Sequence, residues 1–469
     1  MDISIIGAAG SVGRQIAIGL LRQGLIPRNA RLQLVGHKGG LSEQTLPGIA
    51  TDLTDAFAED LPELDLAYGP NQVLGDIIIL AAGDAVGRGD LRSRADLAAN
   101  NRAMVEAYAR AIARHGHGEE LLLVLTNPVE ASVDLCCRYL DRRRVIGMGA
   151  YLDSLRFRQE IAHDLGVQRQ RVHGLVLGEH GPRMVPCWST VDVHGFESSD
   201  GRARLLALQR PRDPSVPDAI AQISRAVQTR GSAAAYALAN RMGPALRAVV
   251  KPYVTQFSGA RSPASTAEMI LRLLSALLSG GQVLTGAQVK LEGELFGMHG
   301  VVGAPIVLTL NGVDRVVPYE LTTEERAQVQ ASLYVAPAAR RVVGVGSRSH
   351  APGRASSRTD NQAERARRWR CDLSVESGAR PGNAERVSAV FAGRGISLDT
   401  MQAFPGSPAK ITMSFVTSTR IKDHLARRLA RIRGVRAVQV HALSPQAGAA
   451  RGRERTRPKS RAGRKAQPK

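Results

Sequence analysis

An acid, a guanidinium and an imidazole lie within one short stretch of this chain. Asp153 and Arg156 belong to Tyr151-Leu-Asp-Ser-Leu-Arg156, and His180 to Leu177-Gly-Glu-His-Gly181. Together they can take a proton from a hydroxyl group, or return it, while gripping a neighbouring carboxylate. Oxidation of a 2-hydroxy acid needs those functions. Asp153 and Arg156 stand three apart on a helical pattern and so share one face. Asp153 can orient His180 and favour its protonated form, and Arg156 can meet a carboxylate with two parallel N–H groups. His180, flanked by glycines at the end of an apolar run, suits a side chain presented to a cleft. An isolated Asp-x-x-Arg on a helix is worth only ~0.5 kcal/mol as a surface ion pair. The trio therefore gains meaning only if a cofactor-binding half precedes it.

The chain opens on such a half. Asp2–Ile6 reads as a short apolar strand, followed by Gly7-Ala8-Ala9-Gly10-Ser11-Val12-Gly13 and a helical pattern through Ile16, Leu20 and Leu21. Glycines at this βα turn let backbone N–H groups approach a pyrophosphate at the positive end of a helix. The second strand is Arg31–Val35. NAD-selective folds usually carry an acid at its end. Here Gly36-His37-Lys38-Gly39-Gly40 offers two potential cations instead, which leans toward NADP and leaves NAD open. Asp76–Ala82 and Leu121–Leu125 read as buried parallel strands. Between them, Arg88 and Arg94 stand six apart in a polar, glycine-punctuated segment that can close over an anionic substrate. Thr126-Asn127-Pro128 leaves Asn127 at the carboxyl edge of the sheet, where such folds bind ligands.

The ordered set Gly7–Gly13, Ser93-Arg94, Asn101, Thr126-Asn-Pro-Val129, Leu152–Arg156, Gly178-Glu-His-Gly181, Ala287-Gln-Val-Lys-Leu-Glu-Gly293 and Val302–Leu308 resembles the lactate/malate dehydrogenase family, over roughly residues 1–335. The resemblance implies that His180 exchanges the substrate proton with Asp153 as partner. It implies that Arg156 and Arg94 hold the substrate carboxylate and carbonyl, with Asn127 as a further ligand. Asn101, and Leu125 and Thr126 at the sheet edge, would lie against the nicotinamide cofactor. In that family an arginine matching Arg88 marks malate enzymes and a neutral residue marks lactate enzymes, because an unpaired charge in a closed site is costly. The Asp84–Gly87 segment is about two residues longer than in typical members of that family, so Arg92 competes for the Arg88 role.

Composition bounds the rest. The net charge is +21 over 469 residues, but residues 340–469 carry 29 Lys+Arg against 8 Asp+Glu, leaving 34 of each sign in the first 339. The basic character thus belongs to a C-terminal appendage. Hydrophobic content of 43% can fill sizeable cores, with aromatics scarce at 4%. No run suits a membrane span, and the amino terminus enters a strand without room for a signal peptide. Cys136, Cys137, Cys187 and Cys371 show neither metal spacing nor a disulfide framework, which fits a reducing cytoplasm and no metal. Residues 200–240 read as an amphipathic helix across the site, and Ser265–Leu278 as a buried core helix.

Past residue 335 the pattern changes twice. Residues 336–369 read as a flexible basic linker. Order returns as β (370–376), α (383–394), β (396–404), β (409–417), α (421–433) and β (435–441), a ferredoxin-like succession. The Arg380-Pro-Gly382 turn and Arg394-Gly-Ile-Ser-Leu-Asp399 resemble ACT domains, which implies pairing between such modules and an amino-acid effector. Residues 451–469 hold nine Lys+Arg and one Glu, a disordered tail with at most salt-sensitive phosphate contact to nucleic acid.

The expected architecture is α/β: a Rossmann-type doubly wound parallel sheet (1–147), an α+β substrate domain (148–335), the linker (336–369), the ferredoxin-like, ACT-like domain (370–444) and the basic tail (445–469). The expected activity is malate dehydrogenase-like, in a homo-oligomer. One alternative is lactate or another 2-hydroxy-monocarboxylate as substrate. Another, of a different class, is a ligand-sensing or nucleic-acid-associated protein on a dehydrogenase scaffold.

Overall fold

Short apolar strands that alternate with amphipathic helices dictate the first half of the architecture. The computed structural model describes residues 1–83, 94–209, 213–260, 262–336, 366–375, 383–392, 394, 396–404, 409–432 and 434–443, and all side chains within them but those of 94–98, 100, 383 and 384. Strands β1 (Ile3–Ile6), β2 (Arg31–Val35), β3 (Glu63–Ala67), β4 (Ile77–Leu80), β5 (Leu121–Val124) and β6 (Val145–Gly147) run parallel in the order β3-β2-β1-β4-β5-β6. Helices α1 (Ser11–Arg22), α2 (Leu41–Ala56), α3 (Arg94–His115) and α4 (Val129–Cys136) connect them. The central strands β4 and β5 are apolar on both faces because both faces are covered. Ile77 and Ile79 of β4 enter one core, and Ile78 and Leu80 enter the core on the other side.

The second half extends the same sheet. After α5 (Gly149–Leu165) come β7 (Val172–Gly178) and β8 (Met184–Val193), then α6 (Ser199–Ala207), α7 (Val216–Ala239), α8 (Pro244–Ser258) and α9 (Pro263–Leu278). Strands β9 (Val283–Glu292), β10 (His299–Thr309) and β11 (Gly312–Val316) precede α10 (Thr323–Ala331). Gln288 of β9 pairs antiparallel with Gly147 of β6, so one continuous sheet joins the two halves. The expected core helix is present as α9, its Met269, Leu273 and Leu277 buried. The helix expected across the site is α7, but it bends at Gly231 and packs on α8.

The appended chain forms β12 (Arg367–Val375), α11 (Asn383–Ala392), β13 (Leu398–Phe404), β14 (Ala409–Thr417), α12 (Thr419–Ala430) and β15 (Val435–Ala442). The sheet order is β13-β14-β12-β15, all antiparallel, which is the ferredoxin-like arrangement. Trp369, Cys371, Leu373 and Val375 alternate inward along β12 and meet Phe391 of α11 and Leu425 and Leu429 of α12. Strand β12 begins three residues before the expected start at Arg370. The Arg380–Gly382 turn, residues 337–365 of the expected linker and the basic tail lie outside the described residues.

Helix α12 has a second face. Arg420 donates to the carbonyls of Gly116 and Ala113 at 3.1 and 2.9 Å, Arg428 pairs with Asp2, and Arg431 forks onto Asp65 at 2.8 and 2.7 Å. Arg394, beyond α11, pairs with Asp76, and the His424 ring sits edge-on to His117 with centroids 4.9 Å apart. Asp2 and Asp76 stand just ahead of β1 and β4, at the amino ends of the parallel strands. Burial first, then the Arg394 charge, keep both imidazoles neutral, His117 far below the ordinary range and His424 at about 2.

Candidate active site

The turn between β1 and α1 is closed by its glycines. Gly7 has a φ of +87°, and a Cβ there would stand 2.7 Å from the Ala82 backbone. A Cβ on Gly13 would stand 2.4 Å from the Gly7 carbonyl oxygen, so the helix could not lie this close to the strand. Ala8 is buried beneath the turn, while Gly10 is the N-cap of α1 with no side-chain cap bond. The N–H groups at this helix start, at the crevice between β1 and β4, are placed to receive an anion. Ser11 and Val12 line a cavity of about 620 Å³ that opens there.

The same cavity is bordered by Leu125, Thr126 and Asn127 after β5, by Arg156 of α5 and by His180 after β7. Thr126 Oγ1 donates to the carbonyls of Leu80 and Ala82, at 3.2 and 2.6 Å, and so ties together the ends of β4 and β5. Helices α8 and α9, not α7, supply the far wall, through Pro252, Thr255 and Thr266. The expected position of α7 is corrected accordingly. Its alanine-rich face, with Ala219, Ala226 and Ala235 buried, packs on α8 instead.

The expected trio converges. Asp153 is wholly buried; its Oδ2 lies 2.6 Å from His180 Nδ1 and its Oδ1 accepts from Arg156 Nη1 at 2.9 Å. Gly149 makes room for the ring, since a Cβ there would stand 2.4 Å from His180 Cγ. The His180 backbone N–H donates to Glu130 Oε1 at 2.6 Å. Burial alone would raise the Asp153 carboxyl, but the His180 charge and hydrogen bond, with Arg156, outweigh it and hold the acid below its usual range. Burial would lower His180, yet the Asp153 charge and hydrogen bond, with Glu130, raise the imidazole above its usual value. The pair therefore favours imidazolium and carboxylate.

Asn101 stands against two residues that line the cavity: its Nδ2 donates to the Asn127 carbonyl at 2.8 Å, and a Cβ on Gly83 would stand 2.8 Å from its Oδ1. His37 and Lys38 are exposed after β2, and Glu43, in the first turn of α2, reaches back to accept the Gly39 N–H at 2.6 Å. Helix geometry at the start of α2 brings it there. Arg88 and Arg92 lie outside the described residues. Arg94 heads α3, and its side chain lies outside them as well. Sequence reasoning missed Glu130 and Gln288, whose Oε1 accepts the Ala150 N–H at 3.0 Å. Glu130 follows Asn127 by three residues in the first turn of α4, a spacing that could have flagged it.

Two family models match this chain. That of the lactate/malate dehydrogenase NAD binding domain covers residues 1–147, and that of the alpha/beta C-terminal domain covers 150–335. The chain belongs to the lactate/malate dehydrogenase family. A malate dehydrogenase of Methanothermobacter thermautotrophicus is 30% identical over 357 residues, covering 73% of this chain and 97% of the relative. An L-2-hydroxycarboxylate dehydrogenase (NAD(P)(+)) of Methanocaldococcus jannaschii is 28% identical, covering 69% and 93%. Among solved structures, the malate dehydrogenase from Aeropyrum pernix superposes with a TM-score of 0.55 at 22% identity, covering 71% of this chain and 96% of that one. The glycine turn, the uncapped helix start and the cavity across the strand crossover fit the NAD(P) that lactate/malate dehydrogenases use. The two models end at residue 335, before the ferredoxin-like unit.

Proposed function

We propose that this chain catalyses reversible hydride transfer between malate and oxaloacetate. The observation that carries the reading is the Asp153–His180–Arg156 cluster on the wall of the cavity that the glycine turn enters. NAD(P), when bound, accepts or supplies the hydride. With Nδ1 held by Asp153, proton exchange with the substrate oxygen falls to His180 Nε2. Neutral His180 removes the hydroxyl proton in oxidation, and protonated His180 returns it in reduction. Asp153 stabilises the imidazolium and prevents the ring from turning. Arg156, anchored to Asp153, pairs with the substrate carboxylate. Arg94 polarises the carbonyl, Asn127 is a further ligand, and Arg88 pairs with the second carboxylate.

Malate as substrate is supported by the names of the relatives and by the arginine at position 88. Following nicotinamide oxidation with oxaloacetate and with pyruvate, each with NADH and with NADPH, tests it. Faster turnover of pyruvate would replace malate by lactate chemistry, and no turnover of either would end the dehydrogenase reading. His37 and Lys38 support acceptance of a 2′-phosphate, and Glu43, engaged by Gly39, supports use of NAD as well.

The division into 1–147, 148–335, 336–369, 370–444 and 445–469 belongs to this proposal, as do a cytoplasmic location and a homo-oligomer. The ferredoxin-like unit acts as an ACT-like sensor of an amino acid. A screen of the common amino acids for shifts in activity or melting temperature tests this, and no response to any would discard it. The basic tail adds salt-sensitive nucleic-acid contact. Loss of DNA retention on removing 451–469 would support it.

A further inference from the structure

Asp76, His117 and His424 are all buried, and each offers one ligand atom within 4.8 Å of the others. They come from three places: the foot of β4, the turn after α3, and α12 of the appended unit. His117 Nδ1 accepts the Glu119 N–H at 3.1 Å, and its Nε2 is buried with no hydrogen-bond partner. That Nε2 lies 3.7 Å from Asp76 Oδ1 and 3.4 Å from Glu120 Oε1. Ligands bound at 2.0–2.1 Å to a tetrahedral zinc ion lie about 3.3 Å apart, so these spacings need little contraction. The His424 ring is buried too, reaching the His115 backbone and the Arg394 guanidinium. An unanswered ring nitrogen such as His117 Nε2 at an interface between two folded units is costly, and a ligand would remove the cost.

We propose that Asp76, His117 and His424 form a divalent-metal site of the zinc type that fastens the C-terminal unit to the dehydrogenase body. Two imidazoles and a carboxylate are the donor set of such ions, and Glu120 or water completes four positions. In this structure Arg394 pairs with Asp76 and stands 3.4 Å from His424 Nε2, so its guanidinium holds the place of the cation. The ion and Arg394 compete for Asp76. The exchange requires the Arg394 guanidinium to leave the site as the ion enters, because Arg428, Arg427 and Arg144 also act on the two imidazoles.

The test uses the full-length chain, freed of metal by a chelator and titrated with Co²⁺ and Zn²⁺. The expected result is one equivalent bound per chain, with the visible absorption of four-coordinate cobalt and a raised melting temperature. His117→Ala and His424→Ala should each weaken binding at least about tenfold, the scale on which lost supporting contacts act at metal sites. Arg394→Ala removes the competitor and should tighten binding. It also keeps the question open to measurement should a histidine variant fold poorly. Absence of binding in both the parent chain and Arg394→Ala would overturn the proposal. So would an equivalent of metal that survives both histidine substitutions, since it would sit elsewhere.

Discussion

His180 and Asp153 fix the protonation chemistry of the proposed site. The raised imidazole is a proton donor below its pKa and a base above it. The kcat/KM for oxaloacetate reduction should therefore fall as pH climbs through a value above the ordinary histidine range, and that for malate oxidation should rise over the same interval. Asp153→Asn removes the charge that raises it, and should move the midpoint of both profiles to lower pH while slowing turnover. An unmoved midpoint would show that Asp153 does not set the imidazole. His180→Asn should lower kcat by about 10²–10⁴, the range of a lost general acid–base, with NADH binding by fluorescence unchanged. Normal turnover in that variant would end the assignment. The sequence made these two residues readable because the helical spacing and the Gly-Glu-His-Gly turn are local. Glu130 was not readable: its bond to the His180 N–H spans fifty positions and exists only once the first turn of α4 meets the turn after β7.

Among the elements, the βα turn makes the sharpest demand. Gly13→Val would drive side-chain atoms into the Gly7 carbonyl and push α1 off β1, so cofactor affinity should fall at least about tenfold. Isothermal titration with NADH and NADPH would measure it, and unchanged affinity would mean that the pyrophosphate sits elsewhere. The neighbouring strands are less forgiving of volume loss than of shape. Ile79→Ala empties a position with no exposed surface and should cost about 2–5 kcal/mol in denaturant unfolding. The span Arg31–Val35 was expected and found, because Leu32 and Leu34 alternate with Arg31 and Gln33 at the strand period. The placement of α7 was misjudged for the opposite reason. Alanine-rich periodicity shows that a helix packs on one side, and carries nothing about which neighbour it packs on.

For the whole molecule, the charge count located an appendage but not its dock. Arg428 and Arg431, at the end of α12, reach Asp2 and Asp65 of the body. Acids that seem unremarkable in the first strands complete the pairing, and no local pattern announces a contact across hundreds of positions. Arg428→Ala leaves the buried Asp2 carboxylate without its cation and should lower the melting temperature by several degrees, in line with the ~3–5 kcal/mol of a broken buried pair. A change no larger than that of an exposed control such as Arg22→Ala would mean that the units separate in solution. The dehydrogenase cavity opens at the carboxyl ends of the parallel strands, and the ferredoxin-like unit grips their amino ends. Four-residue strands, about 13 Å long at ~3.3 Å per residue, separate the two. A support or fusion partner attached through the C-terminal unit would therefore leave the reactant portal facing the bulk liquid.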